Sequence, residues 1–151
     1  MKPQYVGKSI PRLDGLEKVT GRAIYSVDLA LPGMLHGEIL RSPLPHARIL
    51  EVDLSEARKV PGVRVVISGR DFPFTFGGMI KDQPFLAIDR VRHVGEAVAA
   101  VAAETELAGQ EALKKIRVRY EELPAVFDPR EALADGAPLL HEPLGEYAHG
   151  I

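Results

Sequence analysis

A chain of 151 residues is long enough for one domain with a real core, and its 46% hydrophobic and 26% charged residues are ordinary for a soluble globular protein. The formal net charge of −2 gives no electrostatic reason to expect nucleic acid or an anionic membrane surface as a partner. The absence of cysteine excludes disulfides, thiolate zinc sites, Cys-ligated iron–sulfur clusters and a cysteine nucleophile, and it fits a cytoplasmic location.

The opening, MKPQYVGKSIPRLDG, lacks the apolar core of a signal peptide. Residues 1–20 carry Pro3, Gly7, Pro11 and Gly15 without any period, and read as an extended arm that needs a partner surface to become ordered. Arg22 to Tyr25 is expected to form a short strand, and Leu31-Pro32-Gly33 a turn. Two apolar-alternating runs, Met34 to Arg41 and Ala47 to Leu54, are predicted strands. Between them stands Ser42-Pro43-Leu44-Pro45-His46, whose prolines cannot donate to a ladder.

A short helical turn is expected from Ser55, stopped by Pro61-Gly62, and a β-branched strand over Val63 to Ser68. Gly69 to Pro84 is irregular, with Phe74, Phe76, Met79 and Ile80 set among glycines and prolines; a loop this long is functional or disordered. Val94 to Ala103 is too short to span a bilayer. Its alanines favour a helix and its valines permit a buried strand; the strand is preferred, with Gly95 marking a bulge or a close backbone approach.

Thr105 caps a predicted helix running to about Lys115, with Ala108, Ala112 and Ile116 along one side. Ile116, Val118 and Tyr120 then alternate with Arg117, Arg119 and Glu121, the pattern of a strand with one buried face. A last helix covers Pro129 to Leu133, and Glu142 to Ile151 shows no period. The expected organisation is an arm at 1–20, an α+β domain at 21–143 and a tail at 144–151. Its architecture is a mixed sheet with two to three short helices packed on it.

Candidate chemistry is sparse. No serine–histidine–aspartate spacing surrounds His46, which is read as ordering the corner that the prolines stiffen and capping backbone groups left unpaired there. His36 stands alone with Glu38 on its face. His141, Glu142 and His149 lack the helix that would fix them as metal ligands. Glu121 and Glu122 are adjacent on a strand and point to opposite faces, so they cannot form an acid–base pair. Arg90, Arg92, Arg117 and Arg119, without interleaved aromatics, read as a solvated or protein-contacting face. Gly77-Gly78 matches no phosphate-binding pattern.

The order of longer motifs is more telling. VGKSIPRLDGLEKVTGRAIYSVDLALPGMLHGEILRSPLPHARI at Val6 to Ile49, PGV at Pro61, RVRHVGEAVAAVAAET at Arg90 and IRVRYEELPAVFDPREAL at Ile116 follow one another over nearly the whole chain. This series resembles the opening of the molybdenum-binding large subunit of the xanthine dehydrogenase/aldehyde oxidase family, whose corresponding unit is the α/β hammerhead domain. The resemblance implies an N-terminal structural domain of a molybdenum hydroxylase that acts on a purine, an aldehyde or an aromatic heterocycle. Carbon monoxide dehydrogenase and 4-hydroxybenzoyl-CoA reductase belong to the same family.

By that resemblance, molybdopterin and molybdenum sit in the rest of the subunit, and iron–sulfur clusters and flavin on other subunits or domains. None of the family's cofactor-holding or catalytic motifs falls in this chain, which is expected to be inactive alone and to bind no cofactor or metal. The tail would be a linker to the missing molybdopterin-binding domain. Expected partners are the remainder of the subunit and the iron–sulfur and flavin components, with neither nucleic acid nor membrane. The loop with Phe76, Met79 and Ile80 is matched to the substrate funnel, and Pro43, Pro45, His46 and Gly95 to structural roles. The other reading is a stand-alone, non-catalytic scaffold or protein-binding module derived from that family.

Overall fold

The structure is a computed structural model that describes residues 5–78 and 81–141. The chain divides into two units, Met1–Met34 and Leu35–Ile151.

The first unit is short on apolar burial: no residue from 5 to 34 is buried. Helix α1, Gly15–Val19, interrupts the expected extended arm. It forms where Asp14 draws in Lys18 (2.6 Å) and Arg12 (3.0 Å), and the Arg12 guanidinium, then Lys18, holds the Asp14 carboxyl below its ordinary value. The strand expected at Arg22 to Tyr25 does not form. The amides of Arg22 and Ala23 both donate to the Glu17 carbonyl (2.8 and 3.0 Å), and that of Tyr25 to Asp28 Oδ2 (2.9 Å), so local bonds take the donors a ladder would need. A 3₁₀ turn at Ser26–Asp28 follows.

The second unit runs β1 (His36–Arg41), β2 (Ala47–Asp53), a 3₁₀ turn (Ala57–Lys59), β3 (Val63–Ser68), β4 (Thr75–Phe76), β5 (Gln83–Pro84) and β6 (Arg90–Val91). It continues with β7 (Ala97–Ala103), α2 (Glu106–Lys115), β8 (Arg117–Glu122) and α3 (Pro129–Ala132). The α+β class is observed, but the strands do not share one mixed sheet. They form three sheets, in the orders β1-β7-β3, β6-β2-β8 and β4-β5, and each pairing among the described residues is antiparallel.

Strand β7 resolves the helix-or-strand ambiguity of its alanines. It is paired on both edges, Ala103 opposite His36 of β1 and opposite Val63 of β3, and burial with double pairing overrides alanine's helical preference. Its small side chains also let α2 lie close. A Cβ at Gly109 of α2 would stand 2.7 Å from Glu38 Cγ and 3.8 Å from Ala103 Cβ. Helix α2 begins where Thr105 Oγ1 accepts from Ala108 N (3.2 Å), with Glu106 in its first turn and Lys114 and Lys115 in its last, each suited to the helix dipole.

Two apolar clusters result. One gathers Leu54, Val60, Val66, Val101, Ala112 and Ile116; the other gathers Ala47, Ile49, Ala87, Val91 and Val98. Val52 and Val118 pack against both, so β2 and β8 join the two into a continuous interior.

The end of β3 is fastened by a carboxylate. Asp71 Oδ2 accepts from the amide of buried Ser68 (2.7 Å) and from its hydroxyl (3.0 Å). The Ser68 amide, then its hydroxyl, holds the Asp71 carboxyl below its ordinary 3.8. Asp71→Ala is expected to cost about 1 kcal/mol at neutral pH, because the Ser68 amide loses its acceptor. A lowered folded value means the stabilisation is full above 3.8 and is lost as pH falls through the folded value. Urea titrations should therefore show the gap between wild type and variant closing in strong acid; a gap independent of pH would contradict the assignment.

Candidate functional site

The prolines of the β1–β2 corner have no amide to leave unpaired, and the groups beside them are satisfied. Ser42 N donates to the Glu96 carbonyl (2.8 Å), Leu44 N to Ser42 Oγ (3.0 Å), and Gly95 N to the Ser42 carbonyl (2.8 Å). Arg41 Nη1 adds a bond to the Gly95 carbonyl (2.9 Å). His46 is buried; its Nδ1 donates to the Pro124 carbonyl at 2.7 Å, and its own carbonyl accepts from Leu123 N at 3.0 Å. The imidazole thus ties the corner to the chain leaving β8. Burial raises the Tyr120 phenol, opposed in part by a hydrogen bond with Ser42 of the same corner.

Gly95 is not inside a strand. It lies in a turn that Glu96 N closes onto the His93 carbonyl (3.3 Å), two residues before β7. The expected close approach is absent, since nothing stands within 4 Å of where a Cβ would be. What selects glycine is its φ of +88°, a conformation that side chains with a Cβ rarely adopt. Gly95→Val should cost about 1–3 kcal/mol, and Gly95→Asn less, because asparagine tolerates positive φ. Thermal melts of the two variants check this; equal, negligible shifts would contradict it.

The loop after β3 carries a short pair of strands. Strands β4 and β5 pair Thr75 with Pro84 and Phe76 with Gln83. The Phe76 and Phe85 rings stack at 4.6 Å between centroids with 30° between planes, and remain 43% and 64% exposed. Both line a cleft of about 620 Å³ whose other walls include Arg41, Arg92, His93 and His141. Met79 and Ile80, expected beside Phe76, lie outside the described residues, as do Glu142 and His149.

The cleft holds several polar groups. His141 Nε2 is 3.8 Å from Asp82 Oδ2, and His93 Nδ1 donates to the Val94 carbonyl (3.0 Å). No three histidine, aspartate or glutamate residues gather as a metal site among the described residues. Arg92 Nε holds the Leu140 carbonyl (3.1 Å). Glu121 pairs with Arg48 (2.6 Å), Arg119 with Glu51 (3.3 Å), and Arg117 stands opposite Asp53, so charges on β2 and β8 answer one another. Phe85 is the contributor that sequence reading missed, and Arg92, read only as part of a solvated or protein-contacting face, lines the cleft as well.

The strand orders β1-β7-β3 and β6-β2-β8 with helix α2 make an antiparallel α+β fold. The chain belongs to the family described as aldehyde oxidase and xanthine dehydrogenase, a/b hammerhead domain, whose model matches residues 20–124. It is 50% identical over 133 residues to a probable xanthine dehydrogenase subunit of Bacillus subtilis (strain 168), covering 87% of this chain and 18% of that one. It is 44% identical over 140 residues to the nicotinate dehydrogenase large molybdopterin subunit of Eubacterium barkeri, covering 91% and 33%. Its fold superposes on the reconstituted CO dehydrogenase from Oligotropha carboxidovorans with a TM-score of 0.87 at 33% identity, covering 93% of this chain and 18% of that one. The chain therefore spans from about a fifth to a third of these relatives.

No helix among the described residues is long and apolar enough to cross a membrane. No three His, Cys, Asp or Glu side chains gather to hold a metal ion among the described residues, so no step of a molybdenum reaction is derived for this chain.

Proposed function

We propose that the chain is the N-terminal hammerhead domain of a cytoplasmic molybdenum hydroxylase of the xanthine dehydrogenase or aldehyde oxidase type, structural in itself and inactive alone. The observation that carries this reading is the family match over residues 20–124, reinforced by half-identity to a relative that is several times longer. Molybdopterin and molybdenum would be held by the remainder of the subunit, and iron–sulfur clusters and flavin by further domains or subunits.

Within that enzyme, this domain does two things. The corner at Pro43, Pro45 and His46, with the turn at Gly95, fixes the angle between the two larger sheets. The hairpin carrying Phe76, with Met79 and Ile80 in its connection, walls the substrate funnel, acting on access and orientation and not on the bond-making step. Bulky apolar rings exposed over a cleft support this, because an isolated domain gains little by exposing them.

The test is an activity screen of the polypeptide encoded by the complete reading frame, with a dye as electron acceptor and purines, aldehydes and aromatic heterocycles as substrates. Oxidation of one of these classes is expected. A frame that ends with this domain, giving a protein inert toward all three, would favour a scaffold derived from the family.

A further inference from the structure

We propose that the cleft beside the β4–β5 hairpin takes a planar aromatic ligand bearing a carboxylate, stacked on the Phe76–Phe85 pair and held at its anionic end by Arg41. This deepens, and rests on, the reading of the hairpin as a wall of the substrate funnel, and it assigns the substrate a charge that the reading leaves open.

The two ends of the cleft are fixed to one residue. Arg41 ends β1 opposite Ala97 of β7, and the Ala97 carbonyl accepts from Ala87 N at 2.7 Å. Phe85 stands two residues before Ala87, and Leu86 and Ala87 are buried, so the ring is carried by backbone anchored in the core. Two strand spacings, roughly 10 Å, thus separate the backbone of Arg41 from the segment that carries Phe85. An arginine side chain and an aryl carboxylate together bridge that distance. Arg41, Phe85 and Ala97 all line the cleft, whose volume of about 620 Å³ suits a small aromatic molecule.

Arg41 is held in place and has donors to spare. The ladder between β1 and β7 slips at this point, with Leu40 facing Ala99 and Arg41 facing Ala97, an irregularity of the kind that re-aims side chains beside binding sites. Arg41 Nη1 donates to the carbonyl of Gly95 (2.9 Å), itself fixed in its turn. A guanidinium carries five N–H donors, and among the described residues no carboxylate pairs with this one. The acids of the cleft are already answered. Glu96 accepts from Arg92 N and lies 3.9 Å from Arg92 Nη1, and Asp82 Oδ2 is 3.8 Å from His141 Nε2. An incoming group therefore meets an open fork of donors, which a carboxylate matches with two parallel bonds.

The rings select the rest of the ligand. Phe76 and Phe85 stack on each other yet stay 43% and 64% exposed, which leaves ring surface for a third. Stacking favours a flat ring over an aliphatic chain, and the arginine favours an anion on that ring over a neutral heterocycle.

Titration calorimetry of the complete molybdenum-binding subunit with benzoate, benzamide and cyclohexanecarboxylate tests this. Benzoate should bind about tenfold more tightly than either, since benzamide lacks the charge and cyclohexanecarboxylate the flat ring. Arg41→Gln, which keeps a donor for the Gly95 carbonyl, should bring benzoate level with benzamide. Phe85→Leu should bring benzoate level with cyclohexanecarboxylate and leave its advantage over benzamide. A wild type without these preferences, or a variant that leaves its own preference intact, overturns the inference. A dye-coupled oxidation assay on the same subunit separates the two failures. A benzoate preference that depends on Arg41, in a subunit that oxidises no purine, aldehyde or heterocycle, keeps the inference and defeats the functional reading; oxidation without that preference does the reverse.

Discussion

Gly69→Ala is expected to destabilise the domain by about 2–3 kcal/mol, at the upper end of ordinary overpacking. The added Cβ would stand 2.2 Å from the Ala87 carbonyl oxygen, 2.6 Å from its carbon and 2.7 Å from the Leu86 carbonyl oxygen. All three are backbone atoms, so no rotamer relieves the clash. The segment cannot easily retreat, because Leu86 and Ala87 are buried and Ala87 N donates to the Ala97 carbonyl at 2.7 Å. Gly69 does not have a positive φ, so the cost is steric alone. Gly78→Ala is the control: nothing lies within 4 Å of its Cβ position. Chemical denaturation of both variants is the measurement. A midpoint for Gly69→Ala indistinguishable from that of Gly78→Ala would show that the two segments do not meet this closely.

Phe76→Ala in the complete enzyme is expected to shift the ratio of kcat/KM between small and bulky substrates by about tenfold or more, the equivalent of a hydrophobic contact worth 1–3 kcal/mol. The ring stacks on Phe85 and faces a cleft, so its removal both widens the wall and frees its neighbour. Because the ring is 43% exposed, the loss of stability should be small beside the change in selectivity. Metal content and reduction potentials should be unaffected, since no three His, Cys, Asp or Glu residues gather as a metal site among the described residues. An unchanged substrate ranking, with the protein folded and fully metallated, would reduce the hairpin to packing.

Elements whose signal is local were legible in the sequence. The capped helix at 106–115 and the β-branched run at 63–68 appear where the sequence places them, and the alternation read at 116–121 is the strand at 117–122. The hairpin at 75–84 was not, because two-residue strands carry no period. The short strand expected at Arg22 to Tyr25 failed because Glu17 and Asp28 compete locally for its amides. A single mixed sheet was a natural guess from strand content, yet the order β1-β7-β3 depends on pairings between distant segments that no window contains.

The glycines show the same limit. Gly95 reads in the sequence as a bulge or a close backbone approach, whereas it lies before the strand with nothing within 4 Å of its Cβ position, and its turn conformation selects glycine. The crowded glycine is Gly69, whose neighbours come from a later stretch of chain and leave no mark beside it. His46 reaches Pro124 across 78 positions, so its direction could be guessed from the prolines but its partner could not.

The central claim is that this hammerhead belongs to a molybdenum hydroxylase and holds none of the metal itself. Quantitative metal analysis of two purified polypeptides, the 151-residue chain and the complete subunit expressed in a host that makes molybdopterin, tests it most directly. Molybdenum in stoichiometric amount in the complete subunit, with none in the chain alone, is the predicted result. A tightly held metal in the 151-residue chain, or a complete subunit free of molybdenum, would contradict it.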